Sequence, residues 1–388
     1  MHCRLAFDIS WSRLMWAAFG PATAGEADIA ALTTQTQVTG LSVRTLFDAV
    51  LAEAGLNAGA PVLMSGVNIE NMHDIVRLHG LVPHAVDIAA DTLRPDGDAL
   101  LDAQARSGAR LCLTAHLFGA RGTDPCAAEL RRRGVLVVHD MAQAFSRDCL
   151  DAPLDADVAL LSFGPIKRRT ALGGAIARFR DPDLAARVRA RLETYPALSD
   201  AWFRRRARKY LLLKTLSRPM PYGAIFRLVQ GLGHDPDTVF GGLARGFAGD
   251  DLLRNIRHRP PARLRHLLAR QIADDTGLPR RQAICRDFLA ALPPGLSPGH
   301  ATDDHVHWLV PVLAPDPASV IATLRRHGFD ATRGATSLRA LTGPDSDARR
   351  MMEHIVYLPH PADMTAAARR KLRDAVKAAL AISLDPSP

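Results

Sequence analysis

Aromatic residues make up only 5% of this 388-residue chain, so a core must be built chiefly from Leu, Ala and Val. Cysteine is scarce too. Cys3, Cys112, Cys126, Cys149 and Cys285 are odd in number and form no CxxC pair. That speaks against a disulfide framework or a zinc site and for a reducing cytosol. No apolar run reaches the ~18 residues that a membrane-spanning helix needs. The N-terminus carries Asp8 and Arg13 inside its apolar part, which makes it a poor signal peptide. No G-x-G-x-x-G follows an early strand pattern, which argues against a plain nucleotide-binding α/β protein. Internal repeats and low-complexity tracts are lacking as well.

What is present fits a globular protein of two domains: 47% hydrophobic and 23% charged residues, with enough length for a large core. The formal charge is +9, from 49 basic and 40 acidic residues. Such an excess can accompany nucleic acid, an anionic surface or an anionic substrate. No nucleic-acid-binding motif goes with it, so nucleic acid ranks low.

The stretch from Val135 to Gly174 organises the rest. Its two short apolar runs, Val135–Val138 and Val158–Leu161, fit strands buried on both faces of a parallel sheet. Asp140 follows the first run; Ser162 and Lys167 follow the second. Ligands of open α/β sheets sit outside the carboxyl ends of the strands. One acid, one hydroxyl and one amine therefore emerge at the same rim. That trio suits pyridoxal phosphate (PLP): a lysine to form the Schiff base, a carboxylate to keep the pyridine nitrogen protonated, and a hydroxyl for the phosphate. Alone, Lys167 would be an ordinary solvated lysine and Asp140 a strand-end cap or turn residue.

The wording around them adds a resemblance. HDMAQAF resembles the ED-x-AQA signature, and SFGPIK the SF-x-P-x-K signature, of the DegT-type sugar aminotransferases, in the same order and spacing. Those are fold-type-I PLP enzymes of the aspartate aminotransferase superfamily. The resemblance implies an α/β fold: a large domain (20–250) with a mainly parallel sheet flanked by helices, a smaller C-terminal α/β domain (251–388), and an N-terminal arm (1–19). It implies PLP as cofactor and a homodimer with sites at the subunit interface; the cysteine usage leads to the expectation of no metal and a cytoplasmic location. Lys167 would hold PLP and then move the proton; Asp140 would stabilise the pyridinium, Gln143 the ring's 3-oxygen side, and Ser162 the phosphate.

Other family positions depart from the pattern. Ser42, Val43 and Arg44 stand where the family's SGTAAL holds the phosphate; the Gly is lost and an Arg gained. As residues alone, they read as an N-cap opening a helix over Thr45–Ala54, a ready anion site. Asn68 and Ile69 stand where the family often carries Thr and a stacking aromatic, leaving Ile69 to cover the ring by apolar contact. AHLFG matches VHLYG and brings His116 near the ring substituents; a satisfied structural histidine fits equally. Ala85–Ile88 resembles a strand F-V-D and Thr92–Asp96 the turn T-L-x-x-D. The residue that crosses the dimer interface has no clear counterpart; Asn255 is only the nearest Asn.

Around these lie further elements: strands at Val62–Met64, Arg110–His116, 175–179, Val306–Leu313 and Ile355–Leu358, and helices at Glu70–His79 and Thr365–Ala381. Asp124 with Pro125, and Asp316 with Pro317, read as helix starts that Gly134 and Gly328 end. Arg333 sits where a residue of the smaller domain could reach the active site, or in a surface loop. The segment Trp202–Gly231, with six basic residues between Arg204 and Lys214 beside Leu211–Leu213, reads as a helix. It presents either a solvated Arg face over core-facing Leu, or a surface for an anionic partner such as a phosphorylated acceptor or, by peripheral contact, an acidic membrane.

The function expected is transfer of an amino group from an amino-acid donor to a keto acceptor, commonly a nucleotide-linked keto sugar in this family. The rivals are a non-transaminating PLP-fold enzyme and a non-catalytic PLP-fold regulator. The retained Lys167 argues against the second.

Overall fold

The computed structural model describes residues 1–384, apart from 5, 22–31, 123, 240–250 and 274, with the backbone only at 382–384. Helix α1 (Trp11–Phe19) precedes strand β1 (Gln37–Gly40). There follow α2 (Val43–Glu53), β2 (Pro61–Ser65), β3 (Val67–Ile69), α3 (Glu70–Leu78), β4 (Val82–Val86), α4 (Gly97–Ser107), β5 (Leu111–Ala115), β6 (Ala120–Arg121), α5 (Ala127–Arg132), β7 (Leu136–Asp140), β8 (Val158–Ser162) and β9 (Ala175–Phe179). Next come α6 (Pro182–Glu193), α7 (Asp200–Leu216), α8 (Pro219–Gly231), α9 (Leu252–Ile256), α10 (Ala262–Ile272) and α11 (Leu278–Ala290). The chain ends with β10 (Asp304–His305), β11 (Val310–Leu313), α12 (Pro317–Arg326), β12 (Leu338–Ala340), α13 (Asp347–His354), β13 (Ile355–Leu358) and α14 (Ala366–Leu384).

Seven strands form the main sheet in the order β1-β9-β8-β7-β5-β2-β4. From β4 to β8 every pair is parallel. β9 runs antiparallel to both β8 and β1. The sheet is thus mainly parallel, as its Val- and Leu-rich strands imply. Alternate side chains enter opposite cores. Met64, Leu113 and Val138 pack with Phe47, Val50 and Ile75 of α2 and α3. Leu63, Cys112 and Val137 pack with Leu100 and Leu130 of α4 and α5. A separate core in the C-terminal part joins Val310, Val312, Leu324, Leu372 and Val376. Two short antiparallel pairings, β10 with β6 and β12 with β3, tie that part to the loops at the sheet's edge.

Several boundaries differ from the sequence reading. The strand expected at Ala85–Ile88 lies at Val82–Val86, where it pairs with β2 from Pro61 onward. Helix α4 was not read at all, because only Leu100 is buried on it and no apolar stripe forms. Asp124 does not cap a helix: α5 begins at Ala127, and Asp124 accepts the Cys126 N–H in a preceding turn. The strand expected over Val306–Leu313 is broken by His307, whose φ of 47° is left-handed. The basic segment is two helices, since Pro219 starts α8 and cannot continue α7. The face of α7 that enters the core carries Phe203, Ala207 and Tyr210, whereas Leu212 is exposed. Arg204 and Lys214 donate to backbone carbonyls of the N-terminal residues Gly20, Phe7 and Ile9.

Candidate active site

Asp140 ends β7 and Ser162 ends β8, so the register that pairs these strands brings both side chains to one rim. The turn after β8 returns Lys167 to the same place, closed by its N–H donating to the Gly164 carbonyl at 3.0 Å. There they line a cleft of about 390 Å³. Ser42, Val43, Arg44, Ile69, His116 and Gln143 line it too. The sequence reading therefore collected residues that the fold brings together. Arg333 is not among them: it donates to the Met352 carbonyl at 3.2 Å in an exposed loop. Asn255 lies in α9 and does not line the cleft. Sequence reasoning missed Trp308 and Arg339, which line it from the C-terminal part, and Arg4 from the N-terminus. Each stood as a lone aromatic or basic residue, Trp308 within the strand expected over Val306–Leu313, with no motif around it to mark it.

The electrostatics of the cleft are set by burial. Burial brings the Lys167 amine down to about 7; the Asp140 charge opposes this and the Arg44 charge adds to it. Burial likewise raises Asp140, against the Ala142 N–H at 2.9 Å and the charges of Lys167 and Arg44. His116 is driven well below the usual histidine range by burial and by His139, whose ring centroid lies 4.9 Å away, so it is neutral at pH 7. Its Nδ1 is buried with no hydrogen-bond partner, as is Nδ2 of Asn68, another residue of the cleft.

Individual donors can be assigned. Gln143 accepts the Phe118 N–H on Oε1 at 2.7 Å, which leaves its amide N–H₂ to donate into the cleft. Ser162 Oγ accepts only a long 3.4 Å contact from the Gly164 N–H and retains its proton for an acceptor. Ser42 is different. Its Oγ accepts the Thr45 N–H at 3.2 Å, and the Thr45 hydroxyl donates to the Ile256 carbonyl at 2.8 Å. The Ser42 proton is therefore directed to Thr45 Oγ1, 2.9 Å away. Ser42 caps α2, and it is the backbone N–H groups of Val43 and Arg44 that the helix end leaves unmatched. Ile69 closes β3 and precedes α3, its N–H engaged by Asn68 Oδ1 at 2.7 Å.

This arrangement fits PLP. It combines a buried amine of lowered basicity, a buried carboxylate beside it, a helix N-terminus for a phosphate, and orphaned polar atoms that a ligand would satisfy. Residues 24–206 match the model of the DegT/DnrJ/EryC1/StrS aminotransferase family. Over these residues, a little under half of the chain, the sequence is similar to that family. The resemblance seen in HDMAQAF and SFGPIK thus holds, and with it the class of PLP-dependent aminotransferase. Solved structures share the fold. Aminotransferase TlmJ from Streptoalloteichus hindustanus is 16% identical, covers 99% of this chain and 100% of its own, and gives a TM-score of 0.69. Sugar aminotransferase CalS13 from Micromonospora echinospora is 18% identical over 97% and 99%, with a TM-score of 0.63. The PLP form of Spr1654 from Streptococcus pneumoniae is 14% identical over 99% and 100%, with a TM-score of 0.67. Among the described residues no helix is long and apolar enough to cross a membrane.

Proposed function

We propose that this chain moves an amino group from an amino-acid donor to the keto group of a sugar-linked acceptor, working as a cytoplasmic homodimer of two-domain subunits. The observation that carries the reading is the meeting of Lys167 and Asp140 in one buried cleft. PLP, when bound, supplies an aldehyde that condenses with amines and a ring that accepts electrons. Lys167 would hold it covalently, and its Nζ, with a pKa near neutrality, could take up and return a proton at working pH. Asp140, fixed by the Ala142 N–H, offers its carboxylate to a protonated ring nitrogen. Gln143 and Ser162 would donate to the ring oxygen and the phosphate. Val43 and Arg44 would offer their amide groups to the phosphate, and Ile69 and His116 would flank the ring. Arg206, Arg339 and Trp202 also line the cleft and suit an acceptor that is bulky and anionic. Sugar aminotransferases among the fold relatives support that choice.

The test is incubation of the purified protein with PLP, followed by borohydride reduction and peptide mapping. The label is expected on Lys167 alone. The pyridoxamine form should then convert nucleotide-linked keto sugars to amino sugars. Labelling without any amino transfer, to sugars or to simple keto acids, would overturn the reading.

A further inference from the structure

We propose that Trp308 is a positioning residue that receives the free side chain of Lys167 and keeps its amine aimed across the cleft. The inference rests on the aminotransferase reading, because it concerns that reaction's lysine. The Lys167 Nζ lies 3.7 Å from the centroid of the Trp308 ring, a cation–π distance. The indole is buried, 5% exposed, and its N–H donates to the Ile166 carbonyl at 2.7 Å. One ring thus touches both the amine and the backbone that carries it.

The ring itself is held by the C-terminal part. The Val306 N–H donates to the Gly119 carbonyl at 2.8 Å, and the Leu309 N–H to the Phe118 carbonyl at 3.2 Å. A Cβ on Gly119 would lie 2.7 Å from the Trp308 backbone nitrogen, so only glycine allows this approach. Phe118 in turn donates its N–H to Gln143. A continuous chain of contacts therefore runs from Gln143 around the cleft to the lysine.

Trp308, Ile166 and Lys167 also line a second cleft on the far side, shared with Arg168, Arg281 and Asp363. The indole stands at the seam between the two. Without it, a detached lysine side chain has a second space to enter. With it, the amine rests on a face that attracts the ammonium form and lies beside the reacting centre.

The charges that face Nζ are Asp140 from β7 and Arg44 from α2. In the second cleft, Arg168 is paired with Asp275, Arg281 donates to the carbonyls of His307 and Trp308, Arg4, which lines both clefts, is paired with Asp330 and Asp237, and Asp8, Asp363, Lys214, Arg169 and Arg218 complete the charged lining. All of these persist when Trp308 is replaced, so the substitution isolates the ring.

The test uses Trp308→Phe and Trp308→Leu. The pH midpoint for trinitrobenzenesulfonate labelling of Lys167 is read by peptide mass spectrometry in protein prepared without cofactor. Loss of an ammonium-stabilising face lowers the midpoint. The expected order is wild type, then Phe, then Leu, with Leu lower by roughly 0.4–1.5 pH units. In PLP-loaded enzyme, kcat should fall about tenfold for Leu with donor KM within about twofold, and Phe should recover most of it. Equal midpoints, or a Phe variant as impaired as Leu, would overturn the proposal. Should Leu fail to fold by circular dichroism, Phe alone decides, because its weaker quadrupole must still lower the midpoint. Labelling needs no turnover. Graded midpoints without amino transfer would refute the aminotransferase reading alone, and ungraded midpoints with intact transfer would refute only the role of Trp308.

Discussion

The two sides of the cleft are built by different means. On one side, Asp140 and Ser162 are the last residues of β7 and β8; five- and three-residue parallel ladders fix Asp140, and a five-residue antiparallel ladder with β9 fixes Ser162. On the other, Trp308 hangs on a left-handed His307, two loop hydrogen bonds and the two-residue pairing of β10 with β6. The first side inherits the rigidity of a sheet whose strands are buried on both faces. The second depends on the fit between two loops. Chemistry that must not move sits on the sheet, and the part that meets a moving side chain sits on the loops.

The sharpest way to break the sheet side is to remove its amine. Lys167→Ala should abolish covalent PLP attachment and lower turnover by at least roughly 10²–10⁴-fold, since among the described residues no other lysine lines the cleft. Borohydride mapping and steady-state rates check this. A variant that keeps both would return Lys167 to an ordinary buried lysine.

Asp140→Asn comes next. PLP should still attach, yet turnover should fall by about 10² or more, because an amide cannot hold a ring nitrogen protonated. A second effect has a definite sign. The Asp140 charge raises the Lys167 amine, so its removal should move the labelling midpoint below about 7, toward acid. Replacing Arg44, whose charge lowers the amine, by Met should move it toward alkali. Labelling rates across pH measure both shifts, and movement in one direction for both variants would contradict the charge pattern described.

Gly119→Ala attacks the loop side. The glycine has φ of 108°, and an added Cβ would meet the backbone nitrogens of Trp308 and His307 at 2.7 and 2.8 Å. A cost of about 2–4 kcal/mol is expected, as for severe strain with backbone displacement. Thermal unfolding should show it, together with a Lys167 midpoint shifted like that of Trp308→Leu. Gly108→Ala is the control: φ is 68° there, but nothing lies within 4 Å of the added Cβ, so a smaller cost and no change at Lys167 are expected.

This contrast also explains what the sequence revealed. HDMAQAF and SFGPIK are local: each places its functional residue within a few positions of a strand end, where periodicity and turn chemistry can be read. Asp316–Pro317 and Gly328 were legible for the same reason, since a cap and a stop act on their own helix. The loop side was not legible. Trp308 bonds to Ile166, 142 positions away, and no pattern near Trp308 announces it. Arg339 reaches the cleft because β12 pairs with β3, opposite Asn68, a register that three residues without alternation cannot signal. Arg333, read either as reaching the active site or as a surface-loop residue, takes the second place. In α7 the basic residues masked the core face, since Phe203, Ala207 and Tyr210 are spaced for a helix but separated by arginines.

The smallest expected effect separates two neighbouring arginines of α7. Arg205 is exposed, whereas Arg206 donates its Nε–H to the Leu172 carbonyl at 2.5 Å and packs over the rings of Trp202 and Tyr210 at 5.4 and 5.3 Å. Arg206→Glu removes a charge-assisted hydrogen bond and places an acid in the cleft that Asp140 also lines, where it would oppose anionic substrate groups. A loss of about 1.5–3 kcal/mol in stability and a higher acceptor KM should follow. Arg205→Glu should stay within about 0.5 kcal/mol of wild type, with kinetics unchanged. If the segment served an acidic membrane, the exposed Arg205 would matter more than the engaged Arg206, and binding to anionic vesicles at low salt would fall in the Arg205 variant. Chemical denaturation, acceptor kinetics and vesicle sedimentation on both variants settle whether α7 belongs to the cleft or to the outer surface.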